Sequence, residues 1–290
     1  MLSAPCCYLH LCHLPLLLQY RTADVFTSRA YGGNPLAVIL DARGLDSSEM
    51  LRIAREFNYS ETTFVLPPDD PANACRIRIF TPGGEVPFAG HPTVGTAIVL
   101  AHAGAIPLGG SETRIVIEEG VGPVPVSIRA RNGIPYFAQL SVAMLPQVQP
   151  LDADSESIAR ALGLAPSDLL NGRYAPQVVS CGIPFLLVPL RTREAVSRSR
   201  VVLHEWEKSL AGTLGSEVMV FALEGEGDAD VHSRVFVPGL SVPEDPATGS
   251  ACAALGGYLA ERTPRDDTTL RWTVEQGVEM GRSGRIEVEV

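Results

Sequence analysis

Apolar positions along the chain follow two rhythms that alternate from residue 20 onward. Short runs of Val, Ile, Leu and Phe end at Gly, Pro or Asn and read as strands. Between them, apolar residues return every three or four positions and read as helices. In the first half, residues 25–26 and 36–40 are strands split by the turn signal Gly32-Gly33-Asn34-Pro35. Met50, Ile53, Ala54 and Phe57 form one helical face, and Asp46 with Glu49 supplies a capping box at its start. Residues 63–66 and 76–80 are strands, 93–103 is a helix ended by Gly104, and 114–117 with 124–128 form a hairpin. The second half continues with a helix at 155–162, strands at 185–188, 218–221 and 233–237, a helix at 251–259 and a last strand at 286–290. The Arg-rich stretch 191–200 reads as a solvated loop or short surface helix. This alternation places the chain in the mixed α/β (α+β) class.

Two sequence words recur in the same order. Arg78-Ile79-Phe80-Thr81-Pro82-Gly83 returns as Arg234-Val235-Phe236-Val237-Pro238-Gly239. Each is followed by Pro-x-x-Gly-[Ser/Thr]-Ala, at 92–97 and at 246–251, running into a helix. The pattern implies a duplication with halves of roughly 130 residues, a usual domain size. The expected division is an extension at 1–16, an N-terminal half at 17–135 on which the last strand, 285–290, could also pack, and a C-terminal half at 136–290. Two copies facing each other would set two strand–loop–helix corners across one cleft, a preferred place for a ligand.

Composition narrows the function. The chain has 290 residues, 46% hydrophobic and 19% charged, which is ordinary globular composition. Its net charge of −10 argues against a nucleic-acid partner, whose binding surface would be basic. Cys75, Cys181 and Cys252 are scattered singly, and Cys6, Cys7 and Cys12 crowd the start. No disulfide framework emerges, so a reducing, cytoplasmic setting is expected. The apolar part of residues 1–18 is too short and interrupted to span a bilayer and lacks a basic leader, so no membrane association is expected. Cys6, Cys7, His10, Cys12 and His13 are too crowded for ordinary zinc spacing, and no metal is expected there.

Candidate chemistry gathers at the two helix starts. Gly90-His91-Pro92-Thr93-Val94-Gly95-Thr96 and Pro246-Ala247-Thr248-Gly249-Ser250 both offer free N–H groups at the positive end of a helix dipole, suited to a carboxylate. Glu61, in Tyr59-Ser60-Glu61-Thr62, stands at the mouth of a strand, His91 in the first anion loop, and Glu244-Asp245 at the entrance to the second. Two carboxylates and a histidine on one cleft can run proton transfer. Singly, each has an ordinary structural explanation: a salt bridge for Glu61, a helix cap for His91 or Asp245. His102, His204 and His232 read as structural, the last two in surface-like stretches. The acidic residues Glu224, Glu226, Asp228 and Asp230 read as a solvated turn. No P-loop, dinucleotide fingerprint, nucleophile elbow or zinc-protease motif is present, so no cofactor is expected.

From about Leu18 to the C-terminus the chain resembles the phenazine-biosynthesis isomerase-like (PhzF-like) family. The segments that carry the resemblance are Asp24-Val25-Phe26-Thr27, Gly33-Asn34-Pro35-Leu36-Ala37-Val38, Asn58-Tyr59-Ser60-Glu61-Thr62-Thr63-Phe64-Val65, Phe88-Ala89-Gly90-His91-Pro92-Thr93-Val94-Gly95-Thr96-Ala97 and Pro243-Glu244-Asp245-Pro246-Ala247-Thr248-Gly249-Ser250-Ala251. The resemblance implies the diaminopimelate epimerase-like fold: two pseudo-symmetric halves, each a sheet wrapped around a central helix, with the active site between them. It implies a homodimeric, cofactor-independent isomerase that moves a proton within a small unsaturated or amino carboxylic acid. By the same resemblance Glu61 shuttles the proton, His91 and Asp245 assist and hold substrate, and Ser60, Gly90, Gly249 and Ser250 contact it. Related epimerases place a cysteine at the start of each anion loop. Here His91-Pro92 and Asp245-Pro246 stand there, and Cys252 reads as core, so two-cysteine racemisation is not supported. The rival readings are a non-catalytic acid-binding protein and an epimerase with Glu61 and Asp245 as opposed bases.

Overall fold

Each half of the chain curls a sheet around one apolar helix in the computed structural model, which describes residues 17–142, 144–240, 242–264 and 269–290. The segment 1–16, with its Cys/His cluster, lies outside the described residues. The first half runs β1 (Tyr20–Val25), β2 (Asn34–Ile39), α1 (Ser47–Phe57), β3 (Glu61–Leu66), β4 (Cys75–Thr81), β5 (Gly84–Val86), α2 (Gly90–His102), β6 (Glu112–Glu119), β7 (Gly122–Arg131) and β8 (Ile134–Leu140). The second runs β9 (Gln147–Gln149), α3 (Ser155–Ala161), β10 (Gln177–Ser180), β11 (Pro184–Pro189), α4 (Arg193–Arg198), α5 (Leu203–Ser209), β12 (Val218–Ala222), β13 (Val231–Val237), β14 (Val242–Asp245), α6 (Gly249–Ala260), β15 (Arg271–Gln276) and β16 (Gly284–Glu289). Among the described residues no helix is long and apolar enough to cross a membrane.

The strand orders are β1-β2-β3-β4-β6-β7-β8 with β5 on β4, and β9-β10-β11-β12-β13-β15-β16 with β14 on β13. Read side by side they superimpose, β2 on β11, β3 on β12, β4 on β13 and β6 on β15. The registers agree residue by residue: Phe64 pairs with Arg78, and Val220 with Arg234. Even the repeated arginines behave alike. Arg78 grips Glu85 through two nitrogens and lies over the Phe80 ring, while Arg234 grips Glu244 and lies over Phe236.

The central helices explain the curl. α2 and α6 carry no Asp, Glu, Lys or Arg and are buried along most of their length, as a helix surrounded by sheet must be. Around α2 pack Leu36, Val38, Ile77, Ile79 and Ile128; around α6 pack Leu187, Met219, Phe221 and Val235. α1 lies outside the first sheet over Ile39, Phe64 and Phe80, and its capping box forms as expected, Glu49 N–H to Asp46 and Asp46 N–H to Glu49.

Two expectations change. The closing strand β16 pairs antiparallel with β15 in the second sheet rather than joining the first half. What reaches the first half is its start and the residues just before it: Arg282 donates to Asp24 and to the Gly32 and Gly33 carbonyls, and Arg285 N–H, at the start of β16, to the Phe26 carbonyl. His232 is not in a surface stretch. It is fully buried on β13 with its two ring nitrogens each 2.9 Å from a carboxylate, Glu275 and Glu279. An inward position on a central strand is what brings it there.

Candidate active site

α2 and α6 point their first residues at each other. The backbones come so close that a Cβ on Gly90 would touch the Gly249 Cα at 3.5 Å, and one on Gly249 would crowd the Phe26 ring at 3.2 Å. Neither helix has a side-chain cap. The N–H groups of Gly90, His91, Gly249 and Ser250 therefore lack intrahelical partners. Pro92, in the first turn of α2, has no N–H to lose.

This geometry corrects the repeat. The Pro-x-x-Gly word matched Gly95 to Gly249, yet Gly95 lies inside α2 against Leu36 and Val25. The partner of Gly249 is Gly90, and the partner of Pro246 is Pro87. In register the repeated word is Glu-x-Pro-x-x-Gly, at 85–90 and 244–249. Pro92 sits within a helix and Pro246 ahead of one, so the same residue type plays two roles.

Between the helix starts is a cavity of about 60 Å³ lined by residues of both halves. Ser60, Glu61, Gly90, His91, Asp245, Gly249 and Ser250, all expected in the site, line it together. Val86, Phe88, Ile183, Phe185, Val237 and Val242 give it an apolar wall. Among the described residues no Arg or Lys lines it. A larger cleft, about 1170 Å³, lies across the α2–α6 contact and includes none of Glu61, His91 and Asp245.

The two carboxyls have unlike surroundings. Asp245 Oδ1 accepts from Asn34 Nδ2 at 2.9 Å and Ser60 Oγ at 3.0 Å, and Oδ2 accepts from Thr248 Oγ1. Gln276 holds the turn beneath, donating to the Asp245 carbonyl and to Thr248 Oγ1 and accepting from Thr248 N–H. Glu61 Oε2 has no hydrogen-bond partner among the described residues. Burial, with the Asp245 charge adding to it, pushes the Glu61 pKa well above the usual carboxylate range. Burial also raises Asp245, opposed by its three donors. The proton of the pair therefore rests on Glu61 and the charge on Asp245.

His91 is neutral. Burial pushes its pKa down to about 3, against a hydrogen bond to the Pro35 backbone. Its Nε2 has no hydrogen-bond partner and faces Glu61 Oε2 at 3.5 Å, so this contact is not an ion pair. The bond to Pro35 then uses Nδ1, which leaves the Nε2 lone pair toward Glu61. Glu244 is taken up by Arg234 and serves structure. Asn34, Thr248 and Gln276 were missed as site residues. The first two stand inside the quoted motifs, but only the fold shows them converging on Asp245.

Two apolar helices with facing free N-termini, two strand-borne carboxyls and a neutral histidine on one interlobe cavity define an isomerase of the epimerase-like fold. The chain belongs to the phenazine biosynthesis-like protein family, whose model matches residues 23–290. A relative from Mesorhizobium japonicum, named an uncharacterized isomerase, is 42% identical over 278 residues, covering 94% of this chain and 90% of its own. The trans-2,3-dihydro-3-hydroxyanthranilate isomerase of Pseudomonas aeruginosa is 35% identical over 271 residues, covering 92% and 88%. The crystal structure of a Bacillus anthracis phenazine biosynthesis protein of the PhzF family superimposes with a TM-score of 0.83 at 29% identity, covering 95% of this chain and 91% of that one.

Proposed function

We propose that the enzyme isomerises a small unsaturated amino carboxylic acid by a single-carboxyl proton shuttle on Glu61, without a cofactor. The observation that carries this is the buried, unpartnered Oε2 of the part-exposed Glu61, at a cavity that no cationic side chain lines among the described residues. With no Arg or Lys lining the cavity among the described residues, a substrate carboxylate falls to the N–H groups at the two helix starts. A substrate ammonium matches Asp245. Its arrival neutralises that charge and lets Glu61 give up its resting proton to solvent. Glu61 then takes a proton from one carbon, the electron pair moves through the adjacent double bond, and Glu61, exchanging with solvent in between, returns a proton to the far carbon. The double bond shifts and Glu61 is regenerated. The helix starts stabilise the extended anion in between. The substrate class is that of the P. aeruginosa relative, whose named substrate is an amino acid on an unsaturated ring.

The opposed-base epimerase reading is disfavoured by Asp245, whose three donors engage it as an acceptor. A non-catalytic binder has no use for an unpartnered buried carboxyl. The test is incubation with trans-2,3-dihydro-3-hydroxyanthranilate and a panel of small unsaturated amino acids in deuterated water. Deuterium entering carbon with a shifted double bond supports the shuttle. Inversion at one centre would indicate an epimerase, and binding without exchange would overturn catalysis.

A further inference from the structure

Among the buried carboxyls that the steps above leave unused is Glu119, at the end of β6, behind the first turn of α2. Its Oε1 is 2.6 Å from Thr93 Oγ1, and that same oxygen is 2.8 Å from the Ala89 carbonyl oxygen. A hydroxyl has one proton, and a carbonyl can only accept. If Thr93 gives its proton to Ala89, the short contact to Glu119 needs a proton on the carboxyl. Glu119 Oε2 has no partner among the described residues and the residue is 8% exposed, a setting that lacks the donors a buried charge requires.

The other half supplies an independent comparison. Arg76 pairs with Glu118 and His232 with Glu275, so Glu119 is the counterpart of Gln276. Each is followed by a glycine pressed on the matching proline. A Cβ on Gly120 would lie 2.8 Å from Pro87 Cα, and one on Gly277 would lie 2.5 Å from the Pro246 oxygen. Gln276 fixes the start of α6 through Thr248. A neutral amide in one half stands where the acid stands in the other.

We propose that Glu119 is a positioning residue: as a protonated carboxyl donating to Thr93, it fixes the Ala89–Thr93 turn and so places Gly90 and His91 in the cleft. This rests on the reading of that cleft as the active site. The groups facing Glu119 are Thr93 from α2 and the Cys75 thiol from β4, itself pushed up to about 12 by burial and by the Glu119 and Glu118 carboxyls. Glu118, on its own strand, is bound to Asn73, Asp69 and Asp70. Burial pushes the Glu119 pKa up to about 7.

Glu119→Gln and Glu119→Ala separate this from a plain packing role. A carboxyl raised in the fold stabilises fully below its unfolded pKa, and that contribution is lost as pH rises through the folded value. The urea midpoint of the wild type should therefore fall relative to E119Q between pH 4.5 and about 7, then run parallel to it. A gap independent of pH overturns the protonated state. Hydrogen exchange in the first turn of α2 should speed up about tenfold or more in E119A and in Thr93→Val, as local opening becomes easier, and return to the wild-type rate in E119Q. Unchanged exchange in both E119A and T93V overturns the positioning role. On a turned-over substrate, wild-type kcat/KM should lose about tenfold per pH unit above pH 7, a limb absent in E119Q. If no substrate is turned over, the cleft reading fails, while the urea and exchange measurements still decide the role of Glu119.

Discussion

The two halves carry the same Ser-Glu pair at the same place, and only one of them meets the cleft. Strand register aligns Ser60-Glu61 with Ser216-Glu217, each just three residues ahead of the partner of the repeated arginine. Glu61 opens onto the cavity with an unpartnered oxygen. Glu217 accepts from the Gly239 backbone and from Ser216 Oγ, and does not line the cavity. The cause is the next hairpin. Arg78 and Glu85 are seven residues apart, whereas Arg234 and Glu244 are ten apart. The longer hairpin contains the 3-10 turn Pro238–Leu240, which sets Gly239 against Glu217. Three substitutions complete the asymmetry: Asp245 stands where the first half has Val86, Ser250 where it has His91, and Ile183 where it has Asn34. The N-terminal half thus brings the unpartnered Glu61 oxygen and the histidine, and the C-terminal half brings the hydrogen-bonded Asp245 carboxyl. A duplicated frame becomes one site by dividing the labour.

The comparison breaks most visibly at the two glutamates. Glu61→Gln keeps the shape and loses the base, which should cost ~10² to 10⁴-fold in turnover. Glu217→Gln should leave turnover within about twofold, since Glu217 lies outside the cavity. Deuterium entry into carbon measures both. Equal losses in the two variants would mean that Glu217 takes part after all.

The paired arginines sharpen the same contrast in stability. The Arg234 side chain is 11% exposed and also donates to the Ser197 and Ser199 carbonyls, whereas that of Arg78 is 26% exposed. Arg234→Ala strands the part-buried Glu244 carboxylate and the Ser197 and Ser199 carbonyls and should cost ~3 kcal/mol. Arg78→Ala should cost about 1 kcal/mol or less. Urea unfolding of the two variants checks this, and Arg234→Ala should also disturb Asp245, one residue from Glu244.

Asp245→Asn probes the fixed charge. The asparagine keeps one acceptor oxygen but loses the charge that would meet a substrate ammonium. Affinity for an amino-acid substrate should fall by ~1.5–3 kcal/mol, read by calorimetry, while a carboxylic acid without an amine should bind almost as before. Equal weakening for both ligands would remove the ammonium from the picture.

Much of this was legible beforehand, for identifiable reasons. The capping box of α1 and the Arg-x-Phe words depend on near neighbours in sequence, and both formed as expected. Glu61, His91 and Asp245 stand out only as a set beside two helix starts, because each alone has an ordinary structural explanation. The start of α2 was placed at 93 rather than Gly90 because Pro92 reads as a boundary, although a proline in the first turn breaks no bond. The apolar pattern does not mark β5, β8, β9, β10, β14, β15 or α5; β5, β9 and β14 are only three or four residues long, and β8 and β15 alternate too weakly in polarity to stand out. The Ser-Glu pair, the Gly-x-Pro pair at 33–35 and 182–184, and the Glu-[Glu/Gln]-Gly-Val pair at 118–121 and 275–278 are too short to find alone. Strand register makes them a series.

The smallest expected effect lies in how Glu217 titrates. Burial pushes its pKa up to about 7, opposed by Ser216 and the Gly239 backbone. A raised folded pKa means that the native state holds the proton more tightly than the unfolded chain. Its stabilising contribution is complete below pH 4.5 and is lost as pH rises toward 7 and just beyond. Glu217→Gln cannot lose a proton, so the urea midpoint of this variant should decline less over that window while its turnover stays near wild type. Because Glu217 and Glu119 share no partner, the double variant with Glu119→Gln should add the two flattenings. A midpoint that tracks the wild type at every pH would show Glu217 ionised throughout. The 3-10 turn would then hold a charge rather than a neutral acid, and the difference between the two Ser-Glu pairs would lie in solvation and not in access to the cleft.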